Sequence, residues 1–152
     1  GVSGRVGASW MTKDERLKDI DNQKKYLTNV INWAHAKAPS TPIHVLAFSQ
    51  GVATIMRFLG HSPARISTLL AWAGSWPSDA SEENIKALSK INFQGWFGDE
   101  DEFISRQKQI EIQAHYKDKF ELDLAVSLYK GGHKFDKVIL KSEIERLEQT
   151  TL

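Results

Sequence analysis

Cysteine is absent from this 152-residue chain. That excludes disulfide bonds, thiolate metal sites and a cysteine nucleophile, and leaves the redox compartment open. An excess of one charge is missing too. The 20 Lys and Arg nearly balance 19 Asp and Glu, for a formal net charge of +1, and the signs are interspersed with no basic run. Binding to nucleic acid is therefore not expected. No stretch approaches the ~20 apolar residues a membrane span needs. The first residues, Gly1-Val2-Ser3-Gly4-Arg5-Val6, hold neither an initiator Met nor the apolar segment of a secretory signal. The expected location is cytoplasmic, and the gene product is expected to start further upstream.

What is present suits one globular domain over residues 1–152: 41% of the residues are hydrophobic, enough for a core. Repeats, low-complexity segments and linkers are lacking. Strand and helix signals alternate with short connections, which predicts an α/β fold with a mainly parallel sheet flanked by helices. Thr12-Lys13-Asp14-Glu15 reads as a capping box opening a helix to about Ala36, with Leu17, Ile20, Leu27, Val30, Ile31 and Ala34 as its buried stripe. Strands are expected at 43–48, 66–73, 91–97 and 122–129, and further helices at 52–59, 82–90, 105–117 (Ile110 and Ala114 inward) and 136–149. Residues 122–129 alternate in polarity and suit a strand near the sheet edge. Ile43–Phe48 does not alternate and suits a strand covered on both faces.

The first strand runs straight into Ala47-Phe48-Ser49-Gln50-Gly51. This resembles the Gly-x-Ser-x-Gly nucleophile elbow with alanine for the first glycine, a sharp turn from strand to helix that exposes the serine hydroxyl. Small residues at 47 and 51 are expected because side chains larger than a methyl group would clash in so tight a turn. By composition, such a relaxed pattern arises by chance in roughly one chain of this length in ten. A buried turn whose serine merely caps the helix would look the same.

The segments after the other strands bear on that ambiguity. In an open parallel sheet, ligands bind beyond the carboxyl ends of the strands. Gly74-Ser75-Trp76-Pro77 comes after the second strand and holds no acid or base. Gly98-Asp99-Glu100-Asp101-Glu102 comes after the third, and Lys130-Gly131-Gly132-His133 after the fourth. Serine, acid and histidine thus fall in the order expected of an α/β-hydrolase. A serine hydroxyl needs a base to take its proton as it attacks, and histidine titrates near neutrality. A carboxylate on the far ring nitrogen would fix the tautomer. Gly131 and Gly132 would give the chain the backbone freedom to bring His133 over Ser49. His35, His44, His61 and His115 lie on helices or at the wrong end of a strand. Among the four acids of the loop, spacing favours the middle but does not choose between Asp99 and Asp101.

These motifs resemble the carboxylesterase/phospholipase group of α/β-hydrolases, which includes the acyl-protein thioesterases and related small serine esterases. The likeness covers about residues 8–148, and its specific parts are Ala-Phe-Ser-Gln-Gly at 47–51, Gly-Asp-Glu-Asp-Glu-Phe-Ile at 98–104 and Gly-Gly-His at 131–133. It implies a serine hydrolase of carboxylic esters or thioesters, with Ser49 as nucleophile, His133 as base and Asp101 as the acid. It implies Gln50 N–H as one oxyanion donor, and neither cofactor nor metal. The group has strands before the elbow, and an earlier loop that gives the second oxyanion donor. Nothing in residues 1–42 matches that loop, so the chain resembles the C-terminal two-thirds of such a hydrolase, with an uncovered edge on its elbow strand.

Trp10, Trp76 and Phe103 are candidate lining residues for an acyl-ester or other small-molecule substrate, whereas Trp72 and Trp96 fall within strands and suit the core. Arg106 and Lys130 lie near the motifs, but no cationic cluster suggests an anion clamp. A hydrolase-like module that binds without catalysis, and an acyl transferase or peptidase on the same residues, are the alternatives. Oligomeric state is not addressed by the sequence.

Overall fold

The computed structural model describes residues 11–151. The described residues form α1 (Arg16–Lys37), β1 (Ile43–Phe48), α2 (Gln50–Phe58), a 3₁₀ turn (Leu59–His61), β2 (Ile66–Trp72), α3 (Glu82–Leu88), β3 (Asn92–Gly98), α4 (Arg106–Phe120), β4 (Val126–Tyr129) and α5 (Lys137–Thr151). The strands make one parallel sheet in the order β1-β2-β3-β4. This is the α/β arrangement expected from the alternation of signals.

Side chains alternate across the strands and so divide the core in two. Val45, Ala47, Leu69, Ala71, Phe93, Phe97 and Val126 face α1 to α4, packing with Ile31, Val52, Ile55, Phe58, Leu88, Ile112 and Tyr116. Phe48, Trp72, Trp96 and Tyr129 face the other way and pack with Phe135, Ile139 and Leu140 at the start of α5. Backbone bonds continue the ladder one residue past β1, β2 and β3. Ser49 N–H donates to Trp72 O (2.9 Å), Ala73 N–H to Trp96 O (2.8 Å) and Asp99 N–H to Tyr129 O (3.0 Å). The three loops after β1, β2 and β3 are thereby fixed side by side.

Several expectations about packing need correction. β1 is an edge strand among the described residues, with His44 exposed and Leu46 42% exposed. Its apolar composition does not bury both faces, because an open groove separates Leu46 from Ile144 and Leu147 of α5. The uncovered edge, by contrast, is as expected. β4 begins only at Val126, and its greasy alternation breaks at Leu128, which is 44% exposed while Tyr129 is buried. α1 starts at Arg16, and the Thr12 hydroxyl accepts from Glu15 N–H as a capping box requires (3.3 Å). The return bond to Thr12 N–H comes from Asp19, not Glu15 (2.7 Å), and these Thr12 bonds hold the Asp19 carboxyl below its usual range. Leu17 and Val30 are exposed, and Gln23 is buried in the predicted stripe.

In α4 the phase is shifted by about one position. Ile110 and Ala114 face out, while Gln109, Ile112 and Tyr116 face in. The reason is that a polar residue is the best-fitting core group here. Fully buried Gln109 donates through its amide to Gly98 O and Ile104 O, both at 2.9 Å, tying the end of β3 to the start of α4 with its own polar group satisfied. Tyr116 likewise donates its hydroxyl to Pro77 O (2.6 Å), and burial pushes its phenol pKa well above the usual value.

Candidate active site

Ser49 stands between β1 and α2 at φ 54° and ψ −121°, a backbone region that a residue with a Cβ occupies only under strain. Its hydroxyl lies 2.9 Å from Nε2 of His133, and Nδ1 of His133 lies 2.9 Å from Oδ2 of Asp101. An ionised carboxylate can only accept, so Nδ1 carries the proton and Nε2 is left to accept from Ser49. The Asp101 side chain is wholly buried. Its other oxygen, Oδ1, accepts from Phe103 N–H (2.8 Å) and Ile104 N–H (3.0 Å), so the buried charge is compensated by donors on both oxygens.

The loop bearing His133 is held by two side chains on one face of the sheet. Trp72 Nε1–H donates to Lys134 O (3.0 Å) and the Tyr129 hydroxyl to Gly132 O (2.7 Å); burial raises the Tyr129 phenol pKa, so it remains a donor. Asp99 takes no part in the Ser49–His133–Asp101 chain. Its Oδ1 accepts from Gly131 N–H (2.9 Å), while Glu100 N–H donates to Gly131 O (3.0 Å), so Asp99 ties the acid loop to the histidine loop. Gly131 has φ 148°. Phe48 and Phe103 flank the imidazole at ring distances of 5.0 and 4.8 Å.

The sequence matches no protein-family profile and no curated protein. Solved structures do match. Zea mays acyl-protein thioesterase 2 superposes with a TM-score of 0.68 at 16% identity, over 95% of this chain and 71% of that one. Esterase PE8 gives 0.61 at 17% identity, over 90% of this chain and 63% of that one. TT1662 from Thermus thermophilus gives 0.69 at 16% identity, over 97% and 72%. The chain has an α/β-hydrolase fold. It spans between 63% and 72% of the length of these three structures.

In this α/β-hydrolase fold a cleft of about 840 Å³ opens beside Ser49, lined by Met11, Phe48, Thr54, Arg57, Phe103 and His133 among others. Phe103 is therefore where a lining residue was expected, 72% exposed. Trp76 is not. It is 6% exposed and packs in the core against Phe93, Phe97 and Tyr116, because the chain after β2 turns inward over α4. Trp10 lies outside the described residues. Gln50 opens α2, so its N–H has no acceptor within the helix. A Cβ at Gly51 meets nothing within 4 Å among the described residues, so a methyl group fits there, as the steric expectation allows. The close approach is at Gly74, where a Cβ would come within 2.3 Å of Ser49 O. Phe48, Thr54 and Arg57 were missed as lining residues. Helical spacing from Gln50 would have found the last two.

Among the described residues, no group of three or more His, Asp or Glu is placed to hold a metal ion, and no helix is long and apolar enough to cross a membrane. The strain at Ser49 leads to a stability prediction. Ser49→Gly relieves a conformation that costs about 1–3 kcal/mol, against an unfolded-state entropy penalty of roughly 0.5–1 kcal/mol. Urea denaturation should find Ser49→Gly more stable than Ser49→Ala by about 1 kcal/mol. An alanine variant more stable than the glycine variant by about 0.5–1 kcal/mol, the glycine entropy penalty alone, would mean that the elbow is unstrained.

Proposed function

We propose that this chain is the catalytic part of a serine hydrolase, one α/β-hydrolase domain that cleaves carboxylic esters or thioesters through an acyl-enzyme. The observation that carries the reading is the unbroken Ser49–His133–Asp101 hydrogen-bond chain, with Ser49 presented at a strained elbow on the open cleft. In this reading Ser49 Oγ attacks the carbonyl carbon while His133 Nε2 takes its proton. The oxyanion forms near Gln50 N–H, a donor of a kind worth about 10²–10³ in rate. Collapse expels the alcohol or thiol, which receives the proton from His133, and leaves Ser49 acylated. Water, deprotonated by the same nitrogen, then releases the acid and restores the serine. Asp101 holds the imidazole in the tautomer this needs and stabilises the imidazolium. Phe48, Phe103 and Met11 give the cleft apolar walls suited to an acyl or alkyl group.

A fluorophosphonate probe tests the reading directly, because it phosphonylates only an activated serine. Labelling is expected on the peptide containing Ser49, found by mass spectrometry. A folded protein that resists the probe, or that carries the label on another residue, would refute the proposal.

A further inference from the structure

The cleft has a second end. Gln50, Ala53, Thr54 and Arg57 recur at helical spacing on one face of α2, and all four line the cleft. Arg57 is eight residues beyond Ser49, about 12 Å along the helix axis. Among the described residues it is the only formally charged group lining the cleft apart from the titratable His133, and no carboxylate lines it. Its side chain is only 16% exposed, an unfavourable setting for a guanidinium without a purpose or a partner.

Its partner is shared. Arg57 donates from Nε (3.2 Å) and Nη2 (3.1 Å) to Oδ1 of Asp79, whose Oδ2 accepts from Arg16. Burial tends to raise the Asp79 carboxyl, but the hydrogen bonds and charges of Arg16 and Arg57 outweigh it and hold it below its usual range. The cluster is therefore one anion between two cations, with a surplus positive charge. Nη1 of Arg57 has no hydrogen-bond acceptor among the described residues. Asp79 is held in place by its loop, since Tyr116 pins Pro77 O and Lys119 reaches Ser78 O. A cation in the last turn of a helix is favourable by itself, but that role does not require it to face the cleft.

We propose that Arg57, positioned by Asp79 and reinforced by Arg16, is an anion subsite of this cleft. The preferred ester would then carry a carboxylate or similar anion remote from its scissile bond. Subtracting one hydrogen-bond length of about 3 Å from the ~12 Å of helix puts that anion about 9 Å from the carbonyl carbon. The inference rests on Ser49 being the nucleophile.

The test compares two esters that differ only in that charge, mono-p-nitrophenyl suberate and its methyl-capped counterpart. A second pair puts the anion on the alcohol side at the same seven-bond separation: the acetate ester of 6-hydroxyhexanoate and its methyl-capped form. The cleft sets a distance and not a side, so a preference in either pair supports the subsite and a preference in neither overturns it. The kcat/KM of the charged ester should exceed that of its neutral partner by about 10-fold, and the ratio should shrink as salt is raised. Arg57→Gln should bring it to about one, Arg57→Lys should keep part of it, and Asp79→Asn, which frees Arg57, should raise it. Being a ratio within each variant, it is unaffected by the fraction of protein that folds. A ratio unmoved by Arg57→Gln overturns the subsite, while neutral-ester turnover and probe labelling of Ser49 would leave the hydrolase reading standing. If neither pair is turned over, the hydrolase reading fails, and calorimetry with suberate reads the subsite instead. Binding lost in Arg57→Gln supports it, and equal or absent binding overturns it.

Discussion

Replacing Ser49 with alanine is expected to lower kcat for p-nitrophenyl butyrate by about 10⁶-fold, the scale seen when a serine hydrolase loses its nucleophile. Asp101→Asn should come next at about 10⁴-fold, with little change in the melting temperature beyond that of one buried hydrogen-bond network. The cause is the tautomer. Asp101 Oδ2 faces Nδ1 of His133, and Oδ1 is engaged by two backbone N–H groups. An asparagine keeps its carbonyl oxygen on those two donors and turns its NH₂ toward Nδ1. The ring then carries its proton on Nε2, where it can no longer accept from Ser49. Asp99→Asn is the control that gives this meaning. Asp99 only accepts from Gly131 N–H, which an amide oxygen can also do, so its kcat should stay within about 10-fold of the parent. If Asp99→Asn were the crippled variant and Asp101→Asn the mild one, the carboxylate assignment would be reversed.

That spacing leaves Asp99 and Asp101 undecided has a physical reason. Both lie in the loop after β3, and both hold a glycine-rich neighbour in place, one through the histidine ring and the other through the Gly131 amide. Separating them depends on which carboxylate points at His133, and that is decided by Phe103 N–H and Ile104 N–H turning Asp101 inward. Spacing alone does not encode that turn; the family resemblance did point to Asp101. The juxtaposition of serine, acid and histidine was legible because each stands one loop beyond a strand, and a parallel sheet brings such loops to one edge. The strands themselves were legible as apolar runs with short connections.

Helix faces were harder, and for one recurring reason. Gln23 and Gln109 are buried where an apolar residue would be expected, while Leu17, Val30 and Ile110 are exposed. A buried glutamine that donates to two carbonyls, as Gln109 does, fits the core as well as a leucine but carries the opposite sign in any hydrophobicity pattern. Trp76 errs in the other direction. Its place after a strand suggested a cleft wall, yet its ring completes an aromatic cluster with Phe93, Phe97 and Tyr116. Arg57 is hidden for a different reason: it belongs to no motif, six residues beyond Gly51. Only the face of α2, two turns beyond the elbow, carries it into the cleft.

Gly98→Ala is the second change expected to be severe, and it acts on the histidine without touching it. A Cβ at Gly98 would lie 2.4 Å from Gly131 O and 2.8 Å from Gly132 O. Neither oxygen can swing aside alone, since Gly131 O accepts from Glu100 N–H and Gly132 O from the Tyr129 hydroxyl. Relief must therefore come from moving the whole 131–133 turn away from β3, and His133 with it. The stability loss should be about 1–3 kcal/mol. A displacement of His133 on the order of 1 Å should cost about 10²-fold in kcat/KM, with probe labelling of Ser49 slowed in parallel. Gly51→Ala provides the contrast in stability, since an added methyl group there meets nothing within 4 Å among the described residues and replaces a helical glycine, a gain of about 1 kcal/mol. The two effects of Gly98→Ala can be separated by assaying well below its melting temperature. A variant that is destabilised but labels Ser49 at the parental rate would mean that the turn deforms without carrying the imidazole, and that Gly98 serves packing alone. A slowed rate in fully folded protein would make the close approach of β3 to the histidine loop the feature that sets the Ser49–His133 distance.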